Sequence, residues 1–231
     1  MTIFDAAVRR LRVAVIVSVT TLFVATLSVG PSQAAGATTL PFYDTPEFTP
    51  RWLRPGSAAL AGFHRVPAFE FTNQAGDTIT GRDVAGRIYV ASFFFSTCPG
   101  ICPMIRTRLD QVQAAYADDD DVLILSHSIR PATDTVEVLR DYAQRHGVID
   151  GKWHLLTGDR EKIYALARET YFANEDLGEQ RSSDDFLHTE NLILVDPRGH
   201  IRGVYSGLSK SSVGHLIDDI AVLKREGRPT R

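Results

Sequence analysis

The chain has 231 residues, enough for one domain of moderate size with appendages. Its residues are 44% hydrophobic and 23% charged, the balance of a globular protein with a real core. A formal net charge of −3, from 25 basic and 28 acidic residues with no large basic patch, argues against nucleic acid and other phosphate-rich partners.

Arg9, Arg10 and Arg12 precede an uncharged, apolar run at 13–29, and Pro31-Ser32-Gln33-Ala34 offers small residues for cleavage after Ala34. Residues 1–34 therefore read as a secretory signal peptide or, since the run is near the short limit of a membrane span, as a membrane anchor. Either way the domain faces outside the cytoplasm. Residues 35–61 carry Pro41, Pro46, Pro50 and Pro55 without periodicity, which predicts a Pro-rich linker whose Tyr43, Phe48 and Trp52 lie against the domain surface.

The domain proper is expected over 62–226. Residues 67–72 alternate as a strand, 73–77 are a turn and Thr78-Ile79-Thr80 returns, so a β-hairpin opens it. A helical turn at 81–86 leads to a buried strand at 87–95. A helix follows at 103–116, with Ile105, Leu109, Val112 and Tyr116 on one face. The acids Asp118 to Asp121 read as a solvated turn, with a hard cation as the other possibility. Val122 to Ser126 is the next buried strand. Asp134 with Glu137 forms a capping box for a helix that Gly147 ends. Trp153 to Leu156 is a short strand, and Asp159 caps a helix to about Tyr171. Residues 173–187 are loop-like. Asn191 to Val195 and Ile201 to Tyr205 form a hairpin, and the last helix runs from Ser209 to Lys224 with Val213, Leu216, Ile217, Ile220 and Leu223 inward. Strand–helix–strand units followed by a hairpin and a helix predict an α/β, thioredoxin-like fold with an N-terminal hairpin extension.

The only two cysteines, Cys98 and Cys102, stand where the first buried strand turns into a helix. Backbone N–H groups at a helix start stabilise a thiolate there. Outside the cytoplasm cysteines tend to form structural disulfides, but a bridge between positions 98 and 102 closes too small a loop to stabilise much. The pair is suited to chemistry: it can close a redox disulfide or hold one soft metal ion, Cu(I) or Zn²⁺. An imidazole is the natural third ligand. Of seven histidines, His64, His146, His154, His200 and His215 occupy positions with no link to the pair. His188, just before the 191–195 strand, and His127, at the end of the 122–126 strand, fall on the active edge of a thioredoxin-like sheet. Met104, the one methionine besides the initiator, is expected in the core. The cis-proline of conventional thioredoxin-type exchangers has no counterpart, because no proline occurs between Pro131 and Pro197. This and the departure from C-x-x-C move the reading from plain dithiol exchange towards a metal site.

The segments FFFSTCPGICPM, ILSHSIRPATDT, WHLLTGD and FLHTENLILVDPRGHIRGVY, spread over residues 62–224, resemble the Sco/SenC family of copper chaperones. The resemblance implies a membrane tether, a periplasmic location, and copper held as Cu(I), with Cu(II) open, by Cys98, Cys102 and His188. It further implies a copper-donor protein and, as acceptor, the cytochrome c oxidase subunit that carries the dinuclear CuA centre. The alternative is a thiol–disulfide reductase, with Cys98 and Cys102 catalytic, that keeps the acceptor cysteines reduced. One departure stands out: Arg130 occupies the place of an aspartate common in the family, while Pro131, Asp134 and Thr135 match. An arginine there would stabilise thiolates and oppose a second positive ion.

Overall fold

The computed structural model describes residues 39–173 and 189–227. The predicted leader at 1–34, the loop from 174 and His188 lie outside the described residues.

Two fully buried runs form the centre of the main sheet. β3 (Ile88–Phe94) and β4 (Val122–Ser128) pair in parallel from Ile88↔Val122 to Phe94↔Ser128. Their apolar, β-branched and aromatic residues suit a strand covered on both faces. β4 runs two residues past the predicted end at Ser126, because Ser128 still pairs with Phe94. β5 (Trp153–Leu156) joins β4 in parallel, while β6 (Asn191–Val195) lies antiparallel to β3 and β7 (Ile201–Ser206) antiparallel to β6. The resulting order is β5-β4-β3-β6-β7. The predicted hairpin is present as β1 (Glu70–Thr72) and β2 (Thr78–Thr80), a separate two-stranded sheet, followed by the short helix α1 (Gly81–Val84).

Side chains of the central strands alternate between two faces. Ser92, Phe94, Ser126 and Trp153 face α2 (Cys102–Ala115) and α3 (Val136–His146), where Trp153 Nε1 donates to Ser126 Oγ at 2.9 Å. Tyr116, which caps the C-terminus of α2, donates through its hydroxyl to Ile217 O of α5 (Lys210–Glu226) at 2.6 Å. Tyr89, Phe93 and His127 face the other way, towards Phe71 of the hairpin and Tyr171.

Three local expectations change, and the acidic run keeps its expected form. The helix predicted from Asp159 to Tyr171 is α4 (Arg160–Ala165) followed by a π-helical turn (Leu166–Thr170), in which Tyr171 N–H reaches Leu166 O at 3.1 Å. The wider turn brings Tyr171 fully inside, its hydroxyl 3.1 Å from that of Tyr89. Asp134 does not cap α3. Thr135 does, its side chain accepting Val138 N–H, which leaves the Asp134 carboxylate free to turn towards Ser96 and Ser128. Met104 is 51% exposed on the outer face of α2, since Ile105 and Leu109 occupy the inner face. The acidic run is a turn before β4, with Asp119 paired to Lys224.

From Thr39 onward the Pro-rich stretch is packed against the domain. Leu40 and Phe42 are buried, Phe42 exchanges backbone hydrogen bonds with Arg51 at 2.9 Å, and Tyr43 N–H reaches Ile201 O. The buried Arg202 side chain donates to Leu40 O and Pro41 O and lies over the Phe42 ring. Trp52 is exposed.

Candidate functional site

The end of β3 delivers Phe95, Ser96 and Thr97 to a tight connection, and α2 begins at Cys102. Pro103 in its first turn sacrifices no hydrogen bond, because the first N–H groups of a helix have no intrahelical partner. No side chain caps this helix in the usual way. The Cys98 sulfur lies close by, 4.0 Å from where a Cβ at Gly100 would stand, and the N–H groups of Gly100, Ile101 and Cys102 favour its thiolate. Cys98 N–H donates in turn to Phe95 O at 3.2 Å.

The two cysteines are free, and their environments differ. Burial disfavours the Cys98 thiolate, but the Cys102 side chain and the three N–H groups outweigh it, so Cys98 ionises below the ordinary thiol range. Burial, and then the neighbouring Cys98, push the Cys102 thiol up to about 12. Of the two sulfurs, the half-exposed Cys98 is thus the one that favours the charge, and Cys102 the one that keeps its proton. Such a pair can attack with one sulfur and resolve with the other, or give two soft donors to a metal ion as Cys102 releases its proton.

His127 lies at the same edge of the sheet but on the opposite face. Its ring stacks on Phe93 with centroids 5.3 Å apart, and burial depresses its pKa to about 4. Phe93 and the central strands separate it from the cysteines, so the alternation of β4 removes it from the site. Arg130 stays near, its guanidinium 4.4 Å above the centre of the Phe95 ring. Among the other histidines of the described residues, His154 meets Asn73, and His200 is held by Asp196 and Arg65.

The segment that follows His188 in the chain approaches α2 by way of Gly207. Thr189 is buried, and Gly207 N–H donates to Glu190 O at 2.8 Å. A Cβ at Gly207 would lie 2.9 Å from Glu190 O and 3.2 Å from the Ile105 side chain, one turn along the helix from Cys102. Sequence reasoning missed Ser96 and Ser128 as parts of the site. Their signal was a hydroxyl just after one buried strand and another at the end of its neighbour, together with an aspartate that a cap seemed to explain.

These features define a thioredoxin-like protein with an asymmetric dithiol at the start of its first sheet-covering helix. The model of the SCO1/SenC family matches residues 58–224, and the chain belongs to that family. The SCO1 protein homolog of Bacillus subtilis is 26% identical over 159 residues, which cover 68% of this chain and 81% of the relative. Mitochondrial SCO2 of Saccharomyces cerevisiae is 31% identical over 151 residues, 62% of this chain but only 46% of that longer protein. Among solved structures, BsSco, a member of the Sco family of cytochrome c oxidase assembly proteins with an identified disulfide switch, has a TM-score of 0.59 and 26% identity, covering 70% of this chain and 94% of BsSco. Copper-bound ScoI of Bradyrhizobium japonicum shares the fold, with a TM-score of 0.54 at 23% identity over 70% of this chain and 99% of ScoI.

Proposed function

We propose that this protein is an exported copper metallochaperone, acting in cytochrome c oxidase assembly by delivering copper to the CuA site of an oxidase subunit. Cu(I) is its cargo, held by Cys98, Cys102 and His188. The observation that carries the reading is the paired free cysteines at the α2 start, one of them the readier to ionise and both soft donors suited to Cu(I). The close approach of Gly207 to both Glu190 O and Ile105 of α2 supports His188 as third ligand, and family membership supports copper and the oxidase as the context. The basic and apolar pattern of residues 9–34 supports a leader that brings the domain to the periplasm, by cleavage or by tethering; among the described residues no helix is long and apolar enough to cross a membrane.

Competition of the reduced full chain with a chromophoric Cu(I) chelator tests this. One-to-one binding, sharply weakened in Cys98→Ser and in His188→Ala, is expected. Affinity unchanged in Cys98→Ser would sink the site, and affinity indifferent to His188→Ala would remove the third ligand.

A second reading is favoured by the unequal ionisation of the pair. Cys98 attacks a disulfide of the acceptor and displaces one of its thiolates. Cys102, losing its proton, then attacks the Cys98 sulfur and displaces the second, so the acceptor leaves reduced and the pair oxidised. Reduction of a peptide disulfide with the same rate in His188→Ala as in the parent chain would support this role over delivery.

A further inference from the structure

Asp134 lies between β4 and α3 and is 0% exposed. Its carboxylate collects donors from two other segments. Ser96 Oγ donates to Oδ1 at 2.5 Å, Ser96 N–H to Oδ2 at 3.1 Å, and Ser128 Oγ to Oδ2 at 2.5 Å. Ser128 Oγ also accepts Arg130 N–H at 3.1 Å, while Asp134 N–H donates to Arg130 O at 2.9 Å. One buried side chain therefore joins the cysteine loop, the end of β4 and the start of α3.

We propose that Asp134 is a positioning residue for Cys98. Acting through Ser96, it holds the 96–101 loop in the conformation that presents the Cys98 sulfur at the start of α2. The physical reason is the one-sidedness of a carboxylate. It accepts and never donates, so Ser96 N–H, Ser96 Oγ and Ser128 Oγ must all point at it, which selects a single arrangement of the loop. Burying a carboxylate is costly without such donors, so loop and carboxylate specify each other. The hold favours the reduced pair, because the network is formed with both cysteines free, and a disulfide with its narrow geometry has to form against the loop conformation that the carboxylate fixes.

The proposal rests on Cys98 as the reactive sulfur, and its test needs no metal. The full chain is equilibrated with glutathione, where one glutathione disulfide and the dithiol give the Cys98–Cys102 disulfide and two glutathiones. Asp134→Asn and Ser96→Ala are expected to move this equilibrium towards the protein disulfide about tenfold, or about 30 mV for a two-electron couple. Ser96→Thr, which keeps the hydroxyl, should restore the parent value. Leu139→Ala, a core truncation in α3, is the control: it lowers the melting temperature and should leave the equilibrium in place. If Asp134→Asn does not fold, Ser96→Ala and Ser128→Ala carry the test. Equilibria within twofold of the parent in those variants, or an equal shift in Leu139→Ala, would overturn the positioning role. A parent chain that forms no disulfide at all would overturn the dithiol reading as well, so the two failures are distinguishable.

Discussion

Gly207 N–H donates to Glu190 O at 2.8 Å, and this contact leaves no room for a side chain at Gly207. The lead-in to β6 is thereby drawn against the turn after β7 and against Ile105 of α2. Gly207→Ala would place a Cβ 2.9 Å from a backbone oxygen, so one segment has to move. We expect a loss of about 1–3 kcal/mol in denaturant unfolding, the usual cost of overpacking, with a fall in Cu(I) affinity beyond that of an equally destabilised variant elsewhere. Parent-like stability and affinity would show that the close approach has no bearing on the site.

Cys98 and Cys102 should differ in reactivity. With Cys98 below the ordinary thiol range and Cys102 at about 12, brief alkylation of the reduced chain at pH 7 should label Cys98 at least about tenfold faster. Peptide mass spectrometry reads the two sites separately. Equal labelling would contradict the asymmetry, and with it the assignment of Cys98 as the attacking sulfur.

His127 should give the domain a measurable acid sensitivity. Its folded pKa, about 4, lies below the ordinary histidine value, so the unfolded chain binds the proton more readily between pH 6.5 and 4. The contribution is intact above pH 6.5 and is lost as pH falls through that window, on the order of 3 kcal/mol by pH 4. Carboxylates titrate over the same range, so the informative quantity is the difference between the parent and His127→Phe. The variant's stability should fall less steeply with acid, and parallel curves would refute the burial argument.

Arg202 should anchor the segment from Leu40 to Phe42. It is 2% exposed and pairs with Asp196 and Glu226 while donating to Leu40 O and Pro41 O. Arg202→Met would take the guanidinium from two largely buried acids, leaving Asp196 to His200 and backbone N–H groups and Glu226 to Leu40 N–H, at an expected cost of about 3–5 kcal/mol. Protease cleavage within 39–52 should become faster in the variant. A chain cut no faster than the parent would mean that this segment is held by Phe42 and its backbone bonds alone.

Much of the architecture was legible because the signals are local. Runs such as Ile88–Phe94 and Val122–Ser128 announce buried strands by composition, and Gly147, with φ 67°, ends α3 in the left-handed conformation that glycine tolerates. The helix break before Tyr171 was not legible, since a π-helical turn and an α-helix have the same local composition and differ only in which hydrogen bonds the packing selects. The burial of Leu40 and Phe42 was missed for a similar reason: their partner, Arg202, is far along the chain.

The sequence by itself determined the α/β class, the order of the elements and the placement of both cysteines at a strand-to-helix junction, because each depends on neighbours within a few residues. Only the tertiary structure decided that the two thiols are unequal, that His127 faces away from them, and that Asp134 reaches the cysteine loop instead of capping its own helix. Ionisation follows burial and the direction of N–H groups, a strand residue's face follows register, and a carboxylate goes where donors from separate segments meet.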